Sequence, residues 1–310
     1  MMNTFSLTVL GTSAAVPYKN RYLAGQVLNV HDQLFLIDCG EGTQFRMSEF
    51  NIKRHKINHI FISHLHGDHF FGLFGILTSL AMNDRTEPIY IYSPAGLKDI
   101  VDNLFEKSYY FSTFPIIFQE LDNTKSSLIF ENNILTVHSF PLSHRIPTVG
   151  YVFKEKPGVL NINPEKIDEY KISIADIKSI KNGSDYTTLS GELIPNSKLV
   201  LPSYKLRAYA YCSDTKYNEN IIPFIHNVDL LYHESTFMDN MKEHAKFTGH
   251  STTIQAATMA KKASVQKLVL GHFSSRYTDL ELLLAEAKTV FPDTVLGIDG
   301  ETYTVEQQRE

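Results

Sequence analysis

Short apolar runs alternate with longer segments of mixed polarity along most of the chain. The runs are rich in β-branched and aromatic residues, a pattern that predicts β-strands. Residues 27–30 and 34–37 flank His31, Asp32 and Gln33, which predicts a hairpin. Helices are predicted over residues 43–54 and 70–82. In this half of the chain the predicted strands cover residues 5–10, 27–30, 34–37, 60–63, 89–92, 134–140 and 151–154.

The second half repeats this alternation. Thr278 and Glu281 have the spacing of a capping box at the start of its last helix. In both halves hairpins come first and alternating strands and helices follow. This order indicates an α/β (α+β) protein with two similar halves, packed sheet to sheet with helices outside. The predicted strands cover residues 208–213, 228–232, 267–271 and 295–298, and the predicted helices cover residues 252–263 and 279–291.

Residues 156–197 depart from the alternating pattern. This segment is rich in Lys, Asn, Ser and Asp and contains only short apolar patches, such as residues 172–177. A chain of 310 residues is long for one domain but suits one α/β domain with an insertion. We therefore predict a single domain over residues 1–310, with residues 156–197 as an inserted arm.

Composition narrows the class of protein. Hydrophobic residues make up 43% of the chain, enough for a sizeable core, and no run approaches the roughly 18 to 20 apolar residues that cross a membrane. The N-terminal residues lack the pattern of a signal peptide. Cys39 and Cys212 do not form a paired framework, which fits a reducing cytoplasm. The net charge of −5 argues against a general nucleic-acid-binding surface but allows a local basic patch.

A dense cluster of candidate metal ligands follows the strand predicted at residues 60–63. It consists of His64, His66, Asp68 and His69. Imidazole nitrogens and carboxylate oxygens are ligands that zinc accepts. In extended backbone His64 and His66 point the same way, and the turn at Gly67 directs Asp68 and His69 towards a second point. The cluster therefore predicts a site for two metals at the end of a strand.

Three further candidate ligands each follow another predicted strand. They are His144, Asp214 and His272. Together with the cluster they make seven ligands, about the number that two zinc ions need if each keeps an open position. A bridging group must offer two oxygens, so Asp214 suits that role. This prediction requires the strand ends to meet in space.

Such a site would perform hydrolysis. Two neighbouring cations lower the pKa of a water between them and neutralise oxygens of the substrate. Asp68 can bind a metal with one oxygen while the other accepts the proton of the water. Phosphodiesters suit this site because negative charge builds on the phosphoryl oxygens in the transition state.

The motif pattern resembles that of the metallo-β-lactamase superfamily and, more narrowly, that of the ribonuclease Z family. The resemblance runs from Leu10 to about Asp299. The histidine-rich cluster alone identifies only the superfamily, whereas the later segments are specific for the narrower family. The matching segments are residues 38–44 (DCGEGTQ), 232–237 (YHESTF), 249–253 (GHSTT) and 272–277 (HFSSRY).

The resemblance implies a four-layer αββα sandwich and a role for each ligand. His64, His66 and His144 would hold one zinc ion. Asp68, His69 and His272 would hold the other, and Asp214 would lie between them. Asp68 would also be the general base. His250 would donate a proton to the leaving 3′ oxygen, oriented by Glu234, whereas His233 is left out of the site.

The family pattern also implies contacts with RNA. Lys19 and Arg21 lie in a segment that resembles the Pro-x-Lys-x-Arg loop near the acceptor end of the tRNA, and Arg276 would meet the scissile phosphate or its neighbour. Two departures stand out. Tyr22 replaces the usual Asn after that Arg. In the arm, residues 174–178 replace the usual Gly-Pro pair, although four lysines keep positive charge there: Lys166, Lys171, Lys178 and Lys181.

The resulting hypothesis is a cytoplasmic, zinc-dependent endoribonuclease that removes 3′ trailers from precursor tRNA and leaves a 3′-hydroxyl. The ligand set also accepts manganese. The length matches the short form of the family, which implies a homodimer whose arm serves the partner's active site. Two alternatives stay open. One is a hydrolase of small phosphodiesters, sulfate esters or lactones, and the other is a metal-stabilised RNA-binding protein without turnover.

Overall fold

The structure is a computed structural model that describes residues 4–202 and 204–309. The chain divides into two compact units. The larger unit contains the described residues up to Lys154 together with Arg207–Val305. The smaller unit contains Glu155–Leu206 and the described residues from Glu306 onwards. The predicted arm, residues 156–197, falls within the smaller unit.

The first of two sheets in the larger unit has seven strands within the described residues, in the order β16-β1-β2-β3-β4-β5-β6. β1, β2 and β3 form an antiparallel meander that includes the predicted hairpin. β3, β4, β5 and β6 run parallel, so their carboxyl ends meet at one edge. The strands are β1 (Phe5–Gly11), β2 (Gly25–Val30), β3 (Gln33–Cys39), β4 (Ile57–Phe61), β5 (Ile89–Pro94), β6 (Ile116–Leu121) and β16 (Thr302–Thr304).

The second sheet of this unit also has seven strands in the described residues, in the order β15-β14-β13-β12-β9-β8-β7. β12, β13, β14 and β15 run parallel. The arrangement repeats that of the first sheet, as the two-halves prediction requires. The strands are β7 (Ser127–Glu131), β8 (Leu135–Pro141), β9 (Val149–Glu155), β12 (Ala208–Cys212), β13 (Leu230–Glu234), β14 (Lys267–Gly271) and β15 (Thr294–Leu296).

Helices cover the outer face of each sheet. A core cluster that includes Phe61, Tyr151 and Val269 lies between the two sheets. Two further clusters lie under the helices, one on the first sheet and one on the second. The predicted four-layer αββα architecture is thus confirmed. The helices of this unit are α1 (Thr43–Glu49), α2 (Gly67–Phe70), α3 (Leu73–Met82), α4 (Leu97–Lys107), α8 (Ile222–Ile225), α9 (Lys242–Thr248), α10 (Thr253–Lys262) and α11 (Glu281–Lys288).

Two helix predictions are wrong in detail. The helix predicted at residues 43–54 ends at Glu49, because Asn51 adopts φ 57° and the amide of Ile52 donates to the Met47 carbonyl at 2.8 Å. The capping box at Thr278 does not form. Instead the Asp279 carboxylate accepts from the amide of Glu281 at 2.9 Å.

The smaller unit has a core of its own. Ile162, Ile180 and Leu199 are buried in it with other apolar side chains. The elements of this unit are short because its apolar residues are few and widely spaced. They are α5 (Pro164–Tyr170), α6 (Ile174–Lys181), β10 (Tyr186–Thr187), β11 (Leu193–Ile194) and α7 (Asn196–Leu199). Across all described residues, no helix has the length and apolar character that a membrane span requires.

Candidate active site

The strand ends of both sheets bring the predicted ligands together. His64 and His66 follow β4, His144 follows β8, Asp214 follows β12 and His272 follows β14. Two groups of candidate ligand atoms match the predicted sets, and the atoms within each group lie within 4.8 Å of one another. The first group is His64, His66, His144 and Asp214, and the second is Asp68, His69 and His272. A third set that meets the same distance, Asp214, His250 and His272, shares one residue with each of them.

Asp214 lies between the two groups. Its Oδ2 is 3.6 Å from His64 Nε2 and 3.7 Å from His144 Nε2. Its Oδ1 is 3.4 Å from His69 Nε2 and 3.2 Å from His272 Nε2. Each carboxylate oxygen therefore faces one group, as a bridging ligand requires.

The residues fit a metal ion. Asp214 is only 2% exposed, and no hydrogen bond within the described residues satisfies its Oδ1. A buried carboxylate oxygen without a partner is costly unless a cation or water binds it. The nitrogens facing it crowd together as well, with His69 Nε2 and His272 Nε2 only 3.2 Å apart. Nitrogen lone pairs and carboxylate oxygens converging on one point are the donor set of a metal site.

In four of the five candidate histidines, a partner at Nδ1 on the far side of the ring leaves Nε2 facing the site. His144 Nδ1 donates to the Gly249 carbonyl at 2.7 Å, which leaves Nε2 as the inward-facing atom. The same selection acts on three other ligands. His64 Nδ1 is 3.0 Å from Ser63 Oγ, His69 Nδ1 is 2.7 Å from Asp38 Oδ2, and His272 Nδ1 is 3.0 Å from Thr236 Oγ1.

Asp38 is a buried anchor that sequence reasoning placed in a motif without giving it a role. It adopts φ 53° at the end of β3. Its carboxylate accepts from the Ser63 amide at 2.7 Å and from the Tyr211 hydroxyl at 2.6 Å, as well as contacting His69. The signal in the sequence was its position, since Asp38 directly follows the strand predicted at residues 34–37, as the candidate metal ligands follow other predicted strands.

Burial and charge set the protonation of the ligands. Burial lowers the pKa values of His64, His66 and His144, so these rings are neutral and offer lone pairs. Burial also acts to lower the pKa of His69, but Asp214, Asp68 and Asp38 outweigh it and raise that pKa to about 10. The second group therefore attracts positive charge, whether as protons or as a metal ion.

The two acidic ligands stay ionised. Burial acts to raise the pKa of Asp214, but the charges of His272, His69 and His64 hold it well below its usual value. For Asp68 burial has the same direction, and His69 together with a hydrogen bond from His272 outweighs it, so the pKa is lowered. Both carboxylates are available to cations and to a proton from water.

His250 and Glu234 form a pair at the edge of this cluster. His250 Nδ1 is 3.0 Å from Glu234 Oε1 and 3.9 Å from Asp214 Oδ2. Burial acts to lower the pKa of His250, and the carboxylates of Glu234 and Asp214 outweigh it and raise that pKa to about 9. Glu234 is itself fixed by the amides of Thr215 and Ser251, each donating at 3.0 Å. The pair thus presents a protonated imidazole beside the candidate metal ligands at neutral pH.

His233 lies outside the site, as the alternation of the strand predicts. It is buried, and its Nδ1 donates to the carbonyl of the adjacent Glu234 at 2.7 Å. Within the described residues, the structure records no contact between the His233 ring and a candidate ligand.

The three predicted RNA contacts have different surroundings. Lys19 is exposed. Arg21 is partly buried and its Nη2 donates to the Tyr277 carbonyl at 2.9 Å, so it ties its loop to the segment after His272. Arg276 is exposed, with its guanidinium 6.0 Å from the centre of the Phe237 ring. RNA binding by these three residues stays a prediction.

Gly249→Ala is expected to weaken metal binding and slow turnover. Gly249 adopts φ 87°, and a Cβ there would lie 2.8 Å from His144 Nδ1. Left-handed backbone costs a residue with a Cβ about 1–2 kcal/mol, and the contact would also push the ligand ring inwards. Gly183→Ala is the matched control, because Gly183 has φ 97° and open space around its Cβ position. Metal content after dialysis should fall for Gly249→Ala alone, and equal retention in both variants would contradict the prediction.

Known proteins provide an independent comparison. A family model described as anti-Pycsar protein Apyc1 matches residues 5–112. Ribonuclease Z of Bacteroides fragilis strain YCH46 is 43% identical over 296 residues, covering 96% of this chain and 97% of the relative. Ribonuclease Z of Cytophaga hutchinsonii is 43% identical over 302 residues, covering 97% of this chain and 96% of the relative.

Solved structures agree with these relatives. The short form of human tRNase Z has a TM-score of 0.71 and 28% identity, covering 96% of this chain and 98% of its own. The metallo-β-lactamase fold protein YhfI of Bacillus subtilis has a TM-score of 0.68 at 19% identity, which supports the fold alone. Since the identity to the curated relatives extends over nearly the whole chain, the protein belongs to the ribonuclease Z family.

Proposed function

We propose that this chain is an endoribonuclease that removes 3′ trailers from precursor tRNA, leaves a 3′-hydroxyl on the tRNA, and uses two zinc ions. The observation that carries the proposal is Asp214, whose two oxygens face two separate groups of ligands. His64, His66 and His144 would hold one ion, and Asp68, His69 and His272 the other. Bound there, the ions would lower the pKa of a water and offset charge on the phosphoryl oxygens.

Asp68 is placed to accept the proton of the attacking water. Its Oδ2 is held by the Ala15 amide at 2.8 Å and lies 3.5 Å from the Nε2 atoms of His69 and His272. That leaves Oδ1 for the proton. Because the pKa of Asp68 is lowered, the carboxylate is ionised and ready to act at neutral pH.

His250 is placed to protonate the leaving oxygen. Hydrolysis at the 3′ side of the tRNA releases a ribose 3′ oxygen, which is a poor leaving group unless it gains a proton. His250 carries that proton because its pKa is raised to about 9. Glu234 orients the ring through the Nδ1 contact, so Nε2 is the atom that donates to the substrate.

Glu234→Gln is expected to shift the alkaline limb of the profile of single-turnover cleavage rate against pH to lower pH. The substitution removes the charge that does most to raise the pKa of His250. A general acid works only while protonated, so a lower pKa means that activity is lost at lower pH as the pH rises. The profile is measured under single-turnover conditions. An unchanged alkaline limb in a folded variant would argue against the pairing, and His250→Ala should remove the limb altogether.

Cleavage of a trailer-bearing precursor tells this function from the alternatives. With zinc or manganese present, one cut near the acceptor end should yield a tRNA with a 3′-hydroxyl. No cleavage under either metal would refute the proposal. A higher kcat/KM on a small diester than on the precursor would favour the small-ester hydrolase, and binding without turnover would favour the metal-stabilised RNA-binding protein.

Basic residues on the loop before β2 and in the smaller unit support a tRNA substrate. Lys19 is exposed, and Lys178 and Lys181 lie in the last turn of α6. We propose that the smaller unit grips the tRNA as an exosite. Replacing both α6 lysines with Gln should raise KM several-fold with kcat unchanged, because phosphate contacts add affinity without touching the chemistry. An unchanged KM would count against an exosite on this helix.

The proposal also covers the oligomeric state of the protein, a homodimer, and its location in the cytoplasm. Phe45 on α1 and Phe71 before α3 are 69% and 58% exposed, an apolar surface that a second copy of the chain would cover. We therefore propose a homodimer, to be checked by analytical ultracentrifugation, where a purely monomeric species would contradict it. The free, buried Cys39 and Cys212 suit the reducing cytoplasm.

A further inference from the structure

An exposed aromatic side chain lies near the end of α9, two residues before the glycine that contacts a candidate ligand. The side chain of Phe247 is 81% exposed. Two residues later, the carbonyl of Gly249 accepts from His144 Nδ1 at 2.7 Å, so this turn of the chain contacts a ligand directly. Ala245 supplies the buried face of α9, which leaves Phe247 without a packing role in the core. A large apolar ring in this position calls for a partner from outside the chain.

The helix surface that carries Phe247 also carries a ring connected to His250, the proposed proton donor. His244 lies one turn before it on the same helix surface. The His244 ring packs edge-on against Phe237 with 5.0 Å between centroids. Phe237 in turn faces the ring of His250 at 6.1 Å. Phe247 therefore lies on the same surface of α9 as His244, whose ring is linked through Phe237 to the residue proposed to protonate the leaving oxygen.

Arg145 lies on the same rim. It directly follows the ligand His144, is exposed, and its Nε donates to the Thr248 carbonyl at 2.8 Å. Its stem also packs near Gly249. The hydrogen bond through Nε fixes the side chain and leaves the two Nη groups for an anion. A guanidinium held in this way presents a planar pair of donors suited to a phosphate.

We propose that Arg145 and Phe247 form a nucleotide subsite next to the cleaved bond, in which Phe247 stacks on a base and Arg145 contacts the adjoining phosphate. The inference rests on the proposed function, since it assigns part of an RNA substrate to this rim. Stacking on an aromatic ring tolerates any base, so the subsite would position the strand without selecting its sequence. The base is either the last nucleotide of the tRNA or the first of the trailer.

Kinetics on precursor tRNA give the first test. Phe247→Leu keeps an apolar side chain but removes the ring, and should raise KM roughly tenfold. Phe247→Tyr should restore the wild-type KM. Arg145→Gln should raise KM by a similar factor, with partial recovery in Arg145→Lys. Phe111→Leu and Arg54→Gln are matched controls. Phe111 is 85% exposed and precedes β6, and Arg54 precedes β4, so both lie at the edge opposite the site.

Fluorescence gives the second test and does not depend on cleavage. Precursors carrying 2-aminopurine at the last tRNA nucleotide or at the first trailer nucleotide are bound to Asp68→Ala protein. Stacking on Phe247 should quench the fluorescence of one of the two precursors. The double variant Asp68→Ala/Phe247→Leu should not show that quench. The quenched position identifies the nucleotide.

Two results would overturn the subsite: unchanged KM in Phe247→Leu and Arg145→Gln, or no Phe247-dependent quench at either position. Failure of the wild-type protein to cleave the precursor would instead count against the proposed function. The two failures are thus distinguishable, because a wild-type enzyme that cleaves normally while its rim variants keep the same KM refutes the subsite alone.

Discussion

Asp68→Ala is expected to reduce cleavage of precursor tRNA by about 10³-fold or more while tRNA binding is retained. The substitution removes the proposed base and one oxygen of the second ligand group together. Asp68 Oδ2 lies 3.5 Å from the Nε2 atoms of both His69 and His272, so its loss leaves Asp214 as the remaining carboxylate beside these nitrogens. Single-turnover cleavage and filter binding on the same preparations measure the two effects separately.

Asp102→Ala is the matched control for this experiment. Asp102 is an exposed carboxylate on α4, paired with Lys98 on the same helix. An exposed pair of this kind contributes little to stability, so the variant should cleave like the wild type. Substantial cleavage by Asp68→Ala would remove Asp68 from the role of general base, even if the metals were still bound.

Asp214→Asn is expected to lose bound metal as well as activity. The carboxylate offers one oxygen to each ligand group, at 3.2 to 3.7 Å from the facing nitrogens. An amide of the same shape has a single acceptor oxygen and no negative charge, so it cannot serve both groups. Metal content after dialysis should fall below that of the wild type, and cleavage should fall with it.

Glu41→Gln offers a control that changes the same kind of charge without touching a ligand. Glu41 is exposed and lies in the turn between β3 and α1. Its metal content and rate should match those of the wild type. Full metal content in Asp214→Asn would refute the bridging role, whatever the effect on rate.

The alternation of short apolar runs with mixed segments predicted the layers of sheet and helix. A strand or helix that packs in the core must carry apolar side chains where it is buried, so its position can be recognised in the sequence. The strand predicted at residues 208–213 illustrates this, since four of the five residues of β12 are buried, and so does the helix predicted at residues 252–263, since half of the ten residues of α10 are buried. Candidate ligands were equally visible. A polar residue directly after a buried strand, such as Asp214 or His272, has few structural reasons to be there.

Contacts between distant segments were not predictable from pattern alone. Nothing local marks Thr236 as the partner of His272, or Gly249 as the acceptor for His144. The ends of helices were also misjudged, as at residues 43–54, where a single left-handed Asn51 ends the helix early. Such features depend on which segments the fold places side by side, and one sequence does not reveal that.

We propose that Asp38 couples the affinity of the candidate site for metal to the packing of the two sheets against each other. Its carboxylate holds Ser63 after β4 of one sheet, Tyr211 on β12 of the other, and the ligand His69. The free energy of metal binding would then add to the stability of the folded chain. A chelator should lower the melting temperature, and a conservative change deep in the core, Tyr211→Phe, should loosen metal binding without altering any ligand. Residues buried between the two sheets would in that sense help to set the affinity of this enzyme for metal.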